Sequence, residues 1–297
     1  MGKMLLPGSA ACALLAIAGA APAWAAFPGA NGRLAAHVDT ERGPRVVSLR
    51  LDGRGWRRVG RIDASVPYAE EQSGRAKWSP SGRRVVYTNL VRGVEIRSAS
   101  GRLLRRLETI DRRDPAWAPS GKEIVTASYS EVDRALVRMR LDGTVVRRLP
   151  LPQLSSAMVP EWSPDGRWIV FQEVRPRSTR IWRMRPDGTG LEELGEGRDP
   201  TWSPDGRHIA FATWADVWVM RADGSGKREV VHSRVRDTDI RGVAWAPDGR
   251  RIAVSTFRYG FGIARPYRLL TVPAGGGRTT LHRRGGTRLQ WIDWQPR

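Results

Sequence analysis

The chain has 297 residues, 40% hydrophobic and 27% charged, a composition of folded proteins that excludes disordered or fibrous ones. Its 50 basic and 30 acidic residues give a formal net charge of +20, and all but four of the bases (Lys3, Lys77, Lys122 and Lys227) are arginine. With Cys12 the single cysteine, a disulfide scaffold, a Cys-ligated zinc site and a catalytic thiol are excluded beyond the N-terminal segment, while 13 Trp and 32 Gly point to a turn-rich, strand-rich protein.

In chain order, Met1 to Ala25 comes first and reads as a secretory signal peptide. Lys3 supplies the positive end, Ala10 to Ala21 is an apolar run of about a dozen residues, and Ala23-Trp24-Ala25 is an A-x-A cleavage pattern. Cleavage is expected after Ala25. The run falls short of the roughly 20 apolar residues that a spanning helix needs, and Cys12 lies inside it with Ser9 three residues before, which is no lipobox. Residues 26–297 are therefore expected to form one exported domain, secreted or in the cell-envelope space, with no integral membrane span.

One motif then recurs: Trp78-Ser-Pro-Ser-Gly82, Trp117-Ala-Pro-Ser-Gly121, Trp162-Ser-Pro-Asp-Gly166, Trp202-Ser-Pro-Asp-Gly206 and Trp245-Ala-Pro-Asp-Gly249. A period of about 40 to 45 residues is the size of a four-stranded propeller blade. Each copy runs into a short β-branched or apolar segment, such as Trp168-Ile-Val-Phe171 or His208-Ile-Ala-Phe211, and these predict strands. A second turn follows at Asp142-Gly143, Asp187-Gly188 or Asp223-Gly224, a hairpin signal because both residues tolerate positive φ. In the first turn, Pro suits the second position and Gly the exit, so Asp165, Asp205 and Asp248 are turn formers rather than a carboxylate site. The Trp before each turn is expected to wedge between neighbouring blades.

The two ends complete one another. Asn31-Gly32-Arg33 and Leu51-Asp52-Gly53 match a repeat that lacks its Trp, and Trp294-Gln-Pro-Arg297 supplies a Trp half that lacks the rest. The strand around Leu289 to Trp294 is thus expected to become the innermost strand of the blade begun by Asn31 to Gly60. The fold class that follows is all-β: six four-stranded antiparallel blades, with the ring closed by its two ends.

Three phrases carry a family resemblance: Ala26-Phe-Pro-Gly-Ala-Asn-Gly-Arg33, Trp202-Ser-Pro-Asp-Gly-Arg-His-Ile-Ala-Phe211 and Trp182-Arg-Met-Arg-Pro-Asp-Gly-Thr-Gly190. They resemble the WD40-like β-propeller repeats of TolB-type exported bacterial proteins, over roughly Phe27 to Arg297. The resemblance implies a propeller that serves as a binding platform, as a gating domain or, in some cases, as an enzyme.

Signals of chemistry are sparse. No G-x-S-x-G nucleophile elbow occurs, so a peptidase of the prolyl oligopeptidase type is not expected. His37, His208, His232 and His282 fall at unrelated repeat positions, so no metal and no cofactor are expected. Asp237-Thr-Asp239 reads as a solvated loop, and Gly275-Gly-Gly277 as a hairpin turn rather than a phosphate cradle. The Arg pairs Arg57-Arg58, Arg105-Arg106, Arg147-Arg148 and Arg283-Arg284 fall on outermost strands, where charge discourages edge-to-edge association. Export and the lack of a repeating aromatic-and-basic track argue against nucleic acid.

Propeller geometry says where a binding site belongs. Loops leading into the innermost strands share a face with those joining second and third strands. Arg75, Asp114, Glu161, Asp199 and Arg241 lie on the first set, around the channel mouth. The segment Phe257 to Arg268 is the longest of the second set, and its Arg258, Tyr259, Phe261, Arg265 and Tyr267 are side chains of the kind enriched at hot spots. The expected function is a monomeric, non-catalytic module that binds a protein or an anionic envelope polymer. The alternative is a lyase, lactonase or glycan hydrolase working at the channel.

Overall fold

The computed structural model describes residues 28–40, 43–63, 75–89, 91–109, 112–128, 134–151, 154, 156–232, 238–258, 267–285 and 289–297. The first blade holds β1 (Asn31–Val38), β2 (Arg45–Leu49) and β3 (Arg57–Arg61). The second holds β4 (Lys77–Trp78), β5 (Arg84–Asn89), β6 (Gly93–Ser98) and β7 (Leu103–Leu107). The third holds β8 (Arg112–Trp117), β9 (Glu123–Ser128), β10 (Ala135–Arg140) and β11 (Val145–Pro150). The fourth holds β12 (Ala157–Trp162), β13 (Ile169–Arg175), β14 (Ser178–Met184) and β15 (Glu192–Glu196). The fifth holds β16 (Arg198–Trp202), β17 (His208–Ala212), β18 (Val217–Arg221) and β19 (Arg228–Val231). The sixth holds β20 (Thr238–Trp245), β21 (Arg251–Arg258), β22 (Tyr267–Pro273) and β23 (Thr280–Gly285), and β24 (Leu289–Pro296) ends the chain.

The sheet orders are those of a closed six-bladed propeller. Five blades are consecutive meanders, and the remaining sheet has the order β24-β1-β2-β3. β24 pairs antiparallel with β1, with Leu34 opposite Trp294 and Val38 opposite Leu289, so the last strand is the innermost strand of the first blade, as the split repeat predicts.

The repeated Trp lies where two sheets meet. Trp78 packs among Val46, Val59, Val85 and Tyr87 of the first two blades, and Trp202 among Val170, Ile181, Ile209 and Phe211 of the fourth and fifth. Trp245 and Trp294 do the same at the next two seams. Some indoles also tie inner strands together: Trp117 Nε1 donates to the Lys77 carbonyl at 3.1 Å and Trp202 Nε1 to the Glu161 carbonyl at 3.3 Å. The six Trp residues are thus both apolar wedges and, at some seams, hydrogen-bond donors.

The turn after each Trp is built by its own side chains. Ser163 Oγ donates to Asp165 Oδ1 at 2.6 Å, the Arg167 N–H donates to the same oxygen at 3.0 Å, and Gly166 closes the turn with φ of 71°. Asp205 repeats this arrangement, and Asp248 accepts from the Arg250 N–H and from Asn31 Nδ2. These aspartates build turns, as the repeat implies. Asp239 departs from expectation. It lies on β20 and is buried, not in a solvated loop, because two arginines close on it. On the outer edges, the Arg pairs of β3, β7 and β11 are exposed.

Replacing the fully buried Trp202 with Ala is expected to cost about 3–5 kcal/mol by opening an inter-blade cavity. Asp165→Ala, which loses only turn hydrogen bonds, is expected to cost about 1 kcal/mol. Urea denaturation of both variants measures the difference.

Candidate functional site

Each inner strand runs towards its Trp from the face that carries the channel mouth, and most are bulged on the way. Register shifts fall at Arg113/Ala116, Met158/Glu161, Arg198/Thr201 and Ile240/Gly242. In four of the blades the residue three before the Trp adopts a left-handed backbone: φ is 50° at Asp114, 52° at Val159, 51° at Asp199 and 46° at Trp291. For Val and Trp this is a strained conformation, held by the surrounding sheet. The residues three before and one before the Trp then form two layers across the axis.

The outer layer centres on Arg75. Its guanidinium pairs with Asp199 of the opposite blade, lies 3.4 Å from Asp114, and sits 5.0 Å over the Trp291 ring. The inner layer centres on Lys77, whose Nζ is 2.6 Å from Glu161 and 3.4 Å from Asp293. The acids also reach the backbone of the next blade. Asp114 accepts the Val159 N–H at 3.2 Å, Glu161 the Trp202 N–H at 2.9 Å, and Asp293 the Trp78 N–H at 2.7 Å. Thr201 Oγ1 also donates to Glu161 at 3.0 Å, and Gln172 accepts the Asp199 N–H at 2.8 Å. Below Lys77, a cavity of about 40 Å³ is lined by Glu161, Thr201, Asp293 and the ring of Trp side chains.

The protonation of these groups follows from burial set against pairing. Burial lowers the Lys77 pKa, but Glu161 and Asp293 outweigh it, and the ammonium ends well above its ordinary value. Burial also works against Arg75, and Asp199 with Asp114 reverse the effect. Burial raises Asp114, and Arg75 offsets this only in part. For Asp199 the balance tips the other way: Arg75 and Arg198 outweigh burial and hold it below the usual carboxylate range. Asp293 is pushed up to about 6, by burial first, against the pull of Lys77.

A second cluster stands beside the mouth. Arg198 pairs with Asp239 and donates to the Ile240 carbonyl at 2.8 Å, while Arg241 Nε lies 2.9 Å from Asp239. The Arg198 guanidinium sits 5.1 Å from the Trp214 ring, on the short β17–β18 connection, and Trp214 is 79% exposed. His37 is buried against Trp291 at 5.1 Å, with Nε2 3.1 Å from Asp39.

The structure therefore brings Arg75, Asp114 and Asp199 together, places Glu161 one layer deeper, and sets Arg241 in the neighbouring cluster. Tyr267 is 1% exposed, part of the core between the sixth and first blades and so not on the surface, because β22 carries it inward. Arg258 closes β21, with its side chain outside the described residues, and Tyr259, Phe261 and Arg265 also lie outside them. Sequence reasoning missed Lys77, Asp293, Arg198 and Trp214. Aligning the residue just before each Trp exposes the first two, since Lys77, Glu161 and Asp293 share that place.

No family model matches the chain, and no curated protein matches it. Solved structures do. TolB from Acinetobacter baumannii superposes with a TM-score of 0.70 at 16% identity, over 90% of this chain and 67% of that one. The structure of a nidogen/laminin complex gives 0.67 at 13% identity, over 89% and 98%. An oligogalacturonate lyase in complex with manganese gives 0.51 at 14%, over 85% and 74%. This chain is a TolB-like β-propeller in fold. At these identities the TolB-like likeness concerns the scaffold and leaves the site to its own chemistry. Among the described residues, no helix is long and apolar enough to cross a membrane.

Asp293 gives the channel a testable pH signature. Its pKa is raised from 3.8 to about 6 in the fold, so the native state binds a proton more tightly than the unfolded chain. The stability it contributes is complete below the unfolded value and is lost as pH rises through the folded one. Asp293→Asn is therefore expected to gain on the parent protein between pH values of about 4 and 7, read from urea midpoints at both. Lys77→Met, which leaves a buried and a partly buried carboxylate without their cation, is expected to cost about 3 kcal/mol near neutral pH in the same assay.

Proposed function

We propose that the chain is an exported, monomeric and non-catalytic module, with residues 26–297 as a single propeller domain after removal of residues 1–25, and that it binds a protein or an anionic envelope polymer on its mouth face. The observation that carries this reading is the contrast between the two clusters on that face. In the channel, Asp114, Glu161, Asp199 and Asp293 each accept from or pair with a cation or a backbone N–H of another blade, so their lone pairs are spent on holding blades together. Beside it, Trp214 stands out to solvent on an arginine that is itself fixed by Asp239. An exposed aromatic ring set on a guanidinium group is the composition of an interaction hot spot. The excess of positive charge favours acidic partners through long-range attraction.

The N-terminal signal pattern supports export. The nidogen/laminin neighbour is a propeller-like fold solved in a protein complex, which agrees with a platform role. A second reading, an enzyme at the channel mouth, draws on the lyase neighbour.

Capture from an envelope extract tests the proposal. Trp214→Ala and Arg198→Ala are expected to lose the captured partner by at least about tenfold while Trp214→Ala leaves the melting temperature unchanged, since that side chain is exposed. Protease treatment of the extract separates the two partner classes: a polymer survives it and a protein does not. Turnover on a glycan or lactone panel that disappears with Asp114→Ala and Asp199→Ala instead establishes the enzyme. Sequencing of the exported protein is expected to begin at Ala26.

A further inference from the structure

At the mouth-face rim of the fifth blade, Asp216, Glu229 and His232 bring one donor atom each to within 4.8 Å of one another. His232 Nδ1 lies 3.2 Å from Asp216 Oδ1 and 3.3 Å from Glu229 Oε1. Asp216 is held by its hairpin, whose Thr213 N–H donates to the Asp216 carbonyl at 2.9 Å and whose Thr213 Oγ1 accepts the Asp216 N–H at 3.2 Å. Residues three apart on a regular strand, such as 229 and 232, point to opposite faces. Here Val217 faces Val231 and Trp218 faces Glu229, so Val230 is an extra residue and the bulge returns Glu229 and His232 to one side.

The same bulge recurs in the outer strand pair of every blade, which allows an internal comparison. In the fourth blade the equivalent positions are Arg180, Glu193 and Glu196, and Arg180 Nη1 sits between the two carboxylates at 3.8 and 3.9 Å. In the second they are Glu95, Leu103 and Arg106, with Arg106 3.3 Å from Glu95. The first, third and sixth blades place arginine there as well, at Arg45, Arg58 and Arg61, at Arg148, and at Arg268 and Arg284. Only the fifth blade has no arginine at any of the three. Two carboxylates and an imidazole nitrogen converge there instead, each presenting a metal-ligating atom.

We propose that this rim is a divalent transition-metal site, with His232 Nδ1 and the carboxylates of Asp216 and Glu229 as its protein ligands. Bonds of about 2.0–2.2 Å to nitrogen and oxygen put neighbouring donors about 3.0–3.5 Å apart, the spacing that His232 makes with both acids. One imidazole and two carboxylates select Zn²⁺ and its neighbours over Mg²⁺, which prefers oxygen and keeps its waters. Three protein donors leave positions open to water or to a donor on a partner. The bulge supplies the geometry in all six blades, and the exchange of arginine for Asp216 and His232 supplies the ligands in one.

The test is calorimetric titration of the untagged, chelator-treated full chain with ZnCl₂ near neutral pH. One Zn²⁺ per chain is expected to bind saturably, with affinity falling at least about tenfold in His232→Ala and in Glu229→Gln. His282→Ala and His208→Ala are expected to bind as the parent does, and MgCl₂ to give no saturable heat. Circular dichroism confirms that each variant is folded, and His232→Gln replaces His232→Ala if the latter is not. Absence of saturable Zn²⁺ binding, binding unaffected at His232, or equal loss in His282→Ala overturns the assignment. None of these outcomes depends on the partner-binding role of Trp214.

Discussion

Antiparallel pairing of β24 with β1 puts Leu34 opposite Trp294, residues from the two ends of the chain, in one sheet. Without that pairing, six radial sheets would be an open arc with two exposed seams, and the wedge of Trp294 between the sixth and first blades would have nothing to fill. Closure also decides what lies on the axis. β24 delivers Trp291 beneath Arg75 and Asp293 beside Lys77, so both partly buried cations depend on a strand from the far end of the sequence.

The channel is held by charges that would be unfavourable one at a time. A buried ammonium or carboxylate is tolerated when it is paired and its remaining valences are hydrogen-bonded. Lys77 meets this with Glu161 and Asp293, and each of those acids binds the inner-strand N–H of the following blade. A residue on one blade thereby answers an unsatisfied donor on the next. Groups committed in this way are positioned by their partners across the ring, and the rim offers the less constrained chemistry.

At the rim the symmetry of the repeat is broken in ways that chemistry can use. The fifth blade combines a short β17–β18 connection, an exposed Trp214 and an outer strand pair in which acidic and imidazole groups stand where other blades carry arginine. Elsewhere the arginine excess is spent on edges, as in the exposed pairs of β3, β7 and β11, and on neutralising acids, as with Arg97 and Arg106 around the buried Glu95. A net charge of +20 is thus partly a structural currency of this scaffold and partly a field around it.

The repeat, its period and the split between Asn31 and Trp294 are local or additive signals, so six blades, the turn aspartates and the shared blade were legible from residues alone. The charged residues of the channel were legible only in part. Arg75, Asp114 and Asp199 stood in a place that propeller geometry directs to the mouth, but their pairing across the ring depends on the bulges that set a left-handed backbone at Asp114 and Asp199. Asp239 looked like part of a solvated loop because sequence cannot show that Arg198, from another blade, buries it. Tyr267 looked like a surface aromatic because nothing nearby marks where β22 begins. Local composition determined which elements form and how many, since turns and strand periodicity are properties of neighbours in the chain. Only the closed ring decided which charges meet, because a pair such as Arg75 and Asp199 exists by the curvature of the whole assembly and by no feature of either segment.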